Sequence, residues 1–119
     1  MSIHVQRETS DIELGYEYHV DFLPHSESDV SHLVPVQAAV SLSETGDLAD
    51  ISFIVPKACR SDQALSVIRK HQPTAYVAPR VFLTLPNTTG DAVAHALAEL
   101  EVDNLGRIVG MQIRWVPAD

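Results

Sequence analysis

Two segments of the chain, residues 36–56 and residues 96–117, share one pattern at an offset of 60 positions. Each begins with alternating apolar residues, continues into a polar turn with a glycine, and ends in a second β-rich run. This combination is typical of a β-hairpin. Similar residues occupy the aligned positions, among them Val40 with Leu100, Leu42 with Val102, Ile51 with Met111 and Phe53 with Ile113. We therefore predict two hairpins of one design, in which Gly46 and Gly106 supply the positive φ angle of a short loop.

The second strand of each predicted hairpin breaks its alternation at one place. Leu48 and Ile108 each lie three residues before the start of a clean alternating run, which is inconsistent with a period of two. A β-bulge inserts one extra residue into a strand and changes the face on which the following residues lie. Bulges near residues 49–50 and 109–110 would return both side chains to the buried face.

Further elements are expected outside the hairpins. Apolar residues alternate over residues 16–22, and residues 80–85 form a second β-rich run, so we predict a strand before each hairpin. An initial strand is expected over residues 3–7. One helix is expected at about residues 62–71, because an apolar stripe at helical spacing follows a capping serine and precedes a proline. The stripe consists of Ala64, Leu65, Val67 and Ile68.

These elements predict an α+β fold, a predominantly antiparallel β-sheet made of two related β-β-β units joined by the one helix. The units span about residues 12–56 and 76–117, within a single domain over residues 1–119, a normal domain size. Residues 91–100 are open to two interpretations, because their alanines favour a helix and the repeat favours a strand. We follow the repeat and predict a strand over residues 95–102. Chance agreement between two amphipathic hairpins is the alternative to a repeat.

The composition excludes several classes of function. Sixteen acidic and eight basic residues give a net charge of −8, which repels a phosphate backbone, so no nucleic-acid partner is expected. No apolar run approaches the length of about 18 residues that a membrane span needs. The chain has one cysteine, Cys59, which has no partner for an internal disulfide. A reducing, cytoplasmic location is therefore expected.

The last predicted hairpin contains a short signature of glycines and apolar residues. Its residues are Asp103, Gly106, Ile108, Val109, Gly110, Met111 and Ile113. They resemble the signature of the prokaryotic domain-of-unknown-function family number 2283, from which Leu105 and Gln112 depart. The resemblance covers about a dozen residues and implies a small β-rich fold. It carries over no catalytic residue, and it implies that Gly106 and Gly110 serve backbone geometry.

Nitrogen and oxygen ligands are concentrated between residues 19 and 32. His19 and Asp21 alternate on the predicted strand, so their side chains point to the same face. His25 or His32 from the following loop could complete a site for a divalent metal of zinc or manganese type. No established metal-binding spacing is present. Because this loop is also rich in serine, an ordinary solvated acidic loop is the alternative interpretation.

Cys59 and the pair Glu99 and Glu101 are two further candidates for a functional site. Cys59 lies between Lys57 and Arg60 before the predicted helix, a setting that could yield a thiolate nucleophile, although a lone cysteine packs more often as a small apolar group. Glu99 and Glu101 alternate with apolar residues, so we expect both on a solvated face. No phosphate-binding loop or nucleophile elbow is present.

Two functions follow from these observations. The first is a non-enzymatic protein-interaction or structural module that forms a homo-oligomer, with a dimer favoured, because one helix cannot cover the face and edges of such a sheet. This interpretation implies no cofactor. The second is a metal- or small-ligand-binding protein, including a metal-dependent enzyme, that uses segment 19–32 and a divalent metal.

Overall fold

One antiparallel sheet of seven strands dominates the fold. The computed structural model describes residues 3–9, 15–71, 79–85 and 88–117. The strands lie in the order β1-β2-β7-β6-β3-β4-β5, and neighbouring strands are antiparallel throughout. The prediction of a mainly antiparallel sheet is therefore confirmed. The strands are β1 (His4–Thr9), β2 (Gly15–Asp21), β3 (Val30–Leu42), β4 (Leu48–Ile54), β5 (Arg80–Thr84), β6 (Ala92–Asp103) and β7 (Ile108–Pro117).

The two predicted hairpins are β3–β4 and β6–β7, and their loops share one hydrogen-bond pattern. In the first loop the amide of Gly46 donates to the carbonyl of Ser43, and in the second the amide of Gly106 donates to that of Asp103, both at 3.0 Å. The φ angles of the two glycines are 84° and 80°. The expectation that these glycines adopt a positive φ is confirmed.

Both predicted bulges are present. The register of β3 with β4 and that of β6 with β7 each skip one residue, which is Ala49 in β4 and Val109 in β7. Leu48 and Ile108 are buried, as the bulges require. Each bulge adds one residue to the strand and so changes the face on which the following residues lie. The apolar residues before and after the bulge therefore both face the core.

The segment between β4 and β5 contains less helix than predicted. The expected helix covers about residues 62–71, but the α-helix, α1, spans only Ser66–Arg69 and turns precede it. The carbonyl of Ala64 accepts the amide of Ile108 in β7 at 3.0 Å, so this turn is bonded to the sheet. The apolar stripe is nevertheless buried, because these turns pack against the sheet as the helix was expected to do.

Residues 92–100 belong to a strand, β6. β6 pairs with β3 on one side and with β7 on the other, so tertiary pairing satisfies its backbone groups and overrides the helical preference of its alanines. Residues 95–102 lie within β6, as predicted. Ala96 and Ala98 face the core, where their small side chains let other residues pack closely.

The two faces of the sheet differ in chemistry. Val20, Leu100 and Met111 lie on the inner face and belong to one buried cluster, which the segment around α1 covers. Alternation sends His19 and Gln112 to the opposite, outer face. None of the helices in the described part of the chain is long and apolar enough to cross a membrane.

Candidate metal centre

Three adjacent strands and one loop bring four ionisable side chains together on the outer face. His19 and Asp21 lie on β2, His25 lies in the loop that follows β2, and Glu101 lies on β6. β7 runs between β2 and β6. At the level of the cluster β7 carries Gly110, which pairs with Asp21 on one side and with Glu101 on the other.

Gly110 provides the space in which the cluster forms. A Cβ atom at this position would lie 2.7 Å from Cε1 of His25 and 2.9 Å from the carbonyl oxygen of Val20, and it would also collide with Oε1 of Glu101. Any side chain here would therefore separate Glu101 from His25. The missing side chain on the middle strand allows groups from its two neighbours to meet above it.

The donor atoms of the four side chains are close together. One donor atom from each of His19, Asp21, His25 and Glu101 lies within 4.8 Å of all the others. Oε1 of Glu101 is 2.8 Å from Nε2 of His19 and 2.9 Å from Nε2 of His25. The side chains of His25 and Glu101 are 4% and 3% exposed, whereas that of His19 is 39% exposed. The protein therefore encloses the cluster at His25 and Glu101, and solvent reaches it at His19.

The contacts of His25 determine which of its ring nitrogens carries a proton. Its Nδ1 lies 2.6 Å from the carbonyl oxygen of Leu23, and a carbonyl oxygen only accepts, so Nδ1 donates. In the neutral ring Nε2 then has a lone pair that faces Oε1 of Glu101, which is also an acceptor. A cation between the two atoms, either a proton or a metal ion, makes this contact favourable. Metal-binding histidines commonly donate their second ring nitrogen to a carbonyl in this way.

Without a metal, a proton satisfies the contact between His25 and Glu101. Burial acts to lower the pKa of His25, but the Leu23 carbonyl and the Glu101 carboxylate outweigh it and raise this pKa. Burial likewise acts to raise the pKa of Glu101, and the hydrogen bonds from His19, Gln112 and His25 outweigh it and lower this pKa. In the metal-free cluster both shifts therefore favour the charged forms, an imidazolium beside a buried carboxylate.

Asp21 has an acceptor without a hydrogen-bond donor. Its Oδ1 atom is buried and has no hydrogen-bond partner among the residues that the structure describes. The nearest histidine nitrogens to this oxygen are Nδ1 of His25 at 3.5 Å and Nε2 of His19 at 3.8 Å, distances at which a hydrogen bond is weak or absent. A buried carboxylate oxygen without a partner is costly. Coordination of a cation within the cluster would satisfy it.

Gln112 and Arg114 on β7 orient the carboxylate of Glu101. Nε2 of Gln112 donates to Oε2 of Glu101 at 3.1 Å, and Arg114 donates to Oε1 of Gln112 at 3.0 Å. Arg114 also donates from Nε to Glu99 at 2.8 Å. Since Oε2 of Glu101 is held by Gln112, Oε1 is turned toward the two histidines. Hydrogen bonds to a metal-binding side chain fix the direction in which its donor atom points.

A cleft of about 270 Å³ opens beside the cluster. Three of the four side chains, those of His19, His25 and Glu101, line it directly. Its other lining residues are mostly polar or acidic and include Gln6, Glu8, Glu17, Ser26, Glu27, Gln112 and Arg114. A small molecule in this cleft would contact the donor atoms of the cluster.

The structure brings together three of the four ligand candidates predicted from the sequence. His19, Asp21 and His25 share the cluster, whereas His32 is exposed on β3, pairs with Val102 and does not belong to it. The expectation of a solvated Glu101 is wrong, because its residue exposure is 2%. Periodicity gives no signal for this burial. It depends on the strand order, which places the glycine of β7 beside Glu101.

The alternative nucleophile, Cys59, is not in an activating environment. Its thiol is buried, and burial raises the pKa of Cys59. Nε of the neighbouring Arg60 donates to the carbonyl of Val55 at 3.0 Å. The thiol form is therefore favoured, which is the setting of a packed apolar cysteine rather than of a nucleophile.

Two imidazole nitrogens and two carboxylate oxygens form a donor set of intermediate softness, which suits zinc and neighbouring first-row divalent ions.

No protein-family model, curated protein or solved structure matched the chain. The likeness of the last hairpin to family number 2283 therefore stays a prediction. The function must be argued from the cluster itself.

Proposed function

We propose that this chain binds one divalent first-row transition-metal ion, of the zinc or manganese type, through His19, Asp21, His25 and Glu101. The observation that supports this most strongly is the convergence of one donor atom from each residue within 4.8 Å. Two features of the cluster agree with it. His25 presents Nε2 to an acceptor of Glu101, and Oδ1 of Asp21 is buried without a hydrogen-bond partner.

Each ligand has a distinct part in this proposal. His25 and Glu101 form the buried base of the site, because both are almost fully enclosed. Asp21 supplies an oxygen that has no hydrogen-bond partner among the described residues, and His19 binds the metal on the side that faces the cleft. The charge of the two carboxylates balances that of a divalent ion, which removes the cost of burying an isolated charge.

Metal analysis of purified variants tests this proposal. The wild-type chain, expressed with zinc, manganese and iron in the medium, should contain about one equivalent of metal. His25→Ala and Glu101→Gln should lose it, and His32→Ala is the matched control that should retain it. Wild-type protein without bound metal that also fails to take up added Zn²⁺ or Mn²⁺ would overturn the proposal.

A folding control separates loss of metal from loss of structure. Glu101→Gln preserves the size of the side chain, so its far-ultraviolet circular dichroism should match that of the metal-free wild type. Added metal should raise the Tm of the wild type and of His32→Ala, because a ligand that binds the folded state stabilises it. The same metal should leave the Tm of Glu101→Gln unchanged. An equal rise in all three proteins would argue against this ligand set.

A second candidate function is a homodimeric interaction module. Leu97 and Val93 on β6 are 69% and 74% exposed, and Leu33 on the neighbouring β3 is 39% exposed. Exposed apolar side chains on one sheet face favour association. Leu97→Lys should lower the mass measured by light scattering, whereas Asn104→Lys, in an exposed loop, should not. A monomeric wild type at high concentration would defeat this candidate.

Two sequence expectations of finer detail stay proposals. We propose that the α+β fold consists of two related β-β-β units, and the shared loop pattern of Gly46 and Gly106 supports this. We also propose a cytoplasmic location, supported by the single, unpaired Cys59. Circular permutation between the units would test the first, and localisation of a tagged chain would test the second.

A further inference from the structure

We infer that the bound metal keeps one coordination position open to the cleft, and that the cleft takes a ligand whose ammonium group is separated from its metal-binding atom by one short carbon chain. This inference rests on the proposed metal site. It goes beyond that site because it assigns a class of ligand to the space beside the metal.

The exposure of the four ligands indicates where the open position lies. His25 and Glu101 are enclosed, so they shield the metal from below. The side chain of His19 is 39% exposed and lines the cleft, so the metal would face the cleft on this side. Four protein ligands complete a tetrahedral zinc site, so a further ligand on this side would occupy a fifth position, and zinc sites that react with a substrate can expand to five-coordination.

A pair of like charges lies beside this open side. Glu8 on β1 and Glu17 on β2 are direct partners in the antiparallel register, and both are exposed and line the cleft. Like charges directly opposite each other destabilise a sheet. No basic side chain within residues 3–9, 15–71, 79–85 and 88–117 forms an ion pair with either of them. A cationic group of a ligand would relieve this repulsion.

The backbone spacing between Glu17 and the proposed ligand His19 sets the scale of the ligand's length. Glu17 precedes His19 by two residues on β2, so both side chains point to the same face, and both line the cleft. The Cα atoms of two such residues are about 7 Å apart. A short carbon chain therefore has the length to connect an atom on the metal with an ammonium between Glu8 and Glu17. An amine-bearing chain with an uncharged nitrogen or oxygen donor at its other end fits this distance.

Arg114 is the one lysine or arginine in the described lining of the cleft, and it does not offset these acids. Arg114 is paired with Glu99 and with the amide oxygen of Gln112. Glu27 adds a further exposed carboxylate to the lining. An anionic ligand would approach Glu8 and Glu17 without compensation. The cleft therefore selects for cationic over anionic ligands.

Binding of two matched probes to the Co²⁺-loaded chain tests the inference. Co²⁺ reports changes of its ligands in its visible absorption spectrum. One probe is 1-(3-aminopropyl)imidazole, whose ring nitrogen binds metal while its ammonium reaches toward Glu8 and Glu17. The other is 1-butylimidazole, which has the same length without the charge. We expect both to change the spectrum and the amine probe to bind about fivefold more tightly at low salt.

The charge-neutral variants identify the source of that preference. Glu8→Gln/Glu17→Gln should remove the preference and leave the affinity for 1-butylimidazole unchanged. The control, Glu44→Gln/Asp91→Asn, makes the same change in net charge at a distance from the cleft and should keep the preference. Equal binding of both probes to the wild type would overturn the ammonium assignment.

The outcomes also separate this inference from the function on which it rests. A chain that does not bind Co²⁺ would count against the metal site itself. A chain that binds Co²⁺ with a spectrum unchanged by either probe would retain the metal site and overturn the open position. A preference that persists in the Glu8→Gln/Glu17→Gln variant would show that other groups select the amine, which also overturns the inference.

Discussion

Replacing Gly110 by alanine should damage both the sheet and the proposed metal site. The new Cβ would lie 2.7 Å from Cε1 of His25 and 2.9 Å from the carbonyl oxygen of Val20, closer than such atoms approach in proteins. The imidazole can move by rotation, but the Val20 carbonyl belongs to the backbone of β2 and cannot move without distorting the sheet. Overpacking of this kind costs about 2 kcal/mol. For a chain of 119 residues, this lowers the Tm by roughly 8 °C.

Metal affinity should fall further than this loss of stability explains. Relief of the collision displaces Glu101 or His25, and displaced ligands weaken metal binding by at least about tenfold. Thermal unfolding in the presence of a chelator measures the structural cost alone. Titration of the metal-free protein with Zn²⁺, in competition with a chromophoric chelator, measures the affinity.

Gly106→Ala is the matched control in the same hairpin. A Cβ at this position would meet nothing within 4 Å, but the φ angle is +80°, so the substitution strains the backbone by about 1 kcal/mol. It should therefore lower the Tm and leave the affinity for Zn²⁺ unchanged. If Gly110→Ala binds Zn²⁺ as tightly as the wild type does, Gly110 does not provide the space for the cluster and the reasoning is refuted.

Two further predictions concern titration. Burial acts to raise the pKa of Asp103, but hydrogen bonds from the amides of Arg107 and Leu105 and from the Arg107 side chain outweigh it and lower this pKa below 3.8. The ionised Asp103 should therefore add to the free energy of unfolding above about pH 4, and this contribution should be lost as the pH falls through the lowered pKa. Urea denaturation between pH 2 and 6 measures it: the free energy of unfolding should fall less on acidification in Asp103→Asn than in the wild type. Burial raises the pKa of Tyr18 to about 12, so in a spectrophotometric titration its phenol should ionise at a higher pH than an exposed tyrosine. Tyr18→Phe should remove this high-pH absorbance change. A high-pH change that persists in the variant would contradict the assignment.

The local features of the fold were predictable from the sequence, because they depend on residues close together in the chain. Alternation and a glycine located the hairpin loops, and broken alternation at Leu48 and Ile108 located both bulges. The sequence pattern predicts a helix that is longer than α1, and the reason is non-local. Its apolar stripe marks burial correctly, but a hydrogen bond from β7 to Ala64 holds the preceding turn against the sheet. No pattern within residues 62–71 encodes that contact.

The candidate site was predictable only as far as one strand and its loop define it. Alternation placed His19 and Asp21 on one face, and proximity in the chain suggested His25. The fourth member of the cluster depends on the order of strands, since β7 pairs with β2 on one side and with β6 on the other. Alternation therefore predicts a solvated Glu101 and places His32 among the candidate ligands, whereas Glu101 is buried in the cluster and His32 is exposed outside it. Strand order is set by the packing of the whole sheet and is not encoded in the pattern of a single strand.

The long separation between the ligands along the chain has a consequence for biosynthesis. His19 and Glu101 are 82 residues apart, and the strand that spaces them, β7, is the last of the seven. A ribosome must therefore complete nearly all of the sheet before the four side chains can meet. A partially synthesised chain would hold His19, Asp21 and His25 but lack Glu101 and Gly110. If the chain binds metal as proposed, the complete ligand set would thus form only on a fully paired sheet, and metal binding would report the completion of folding.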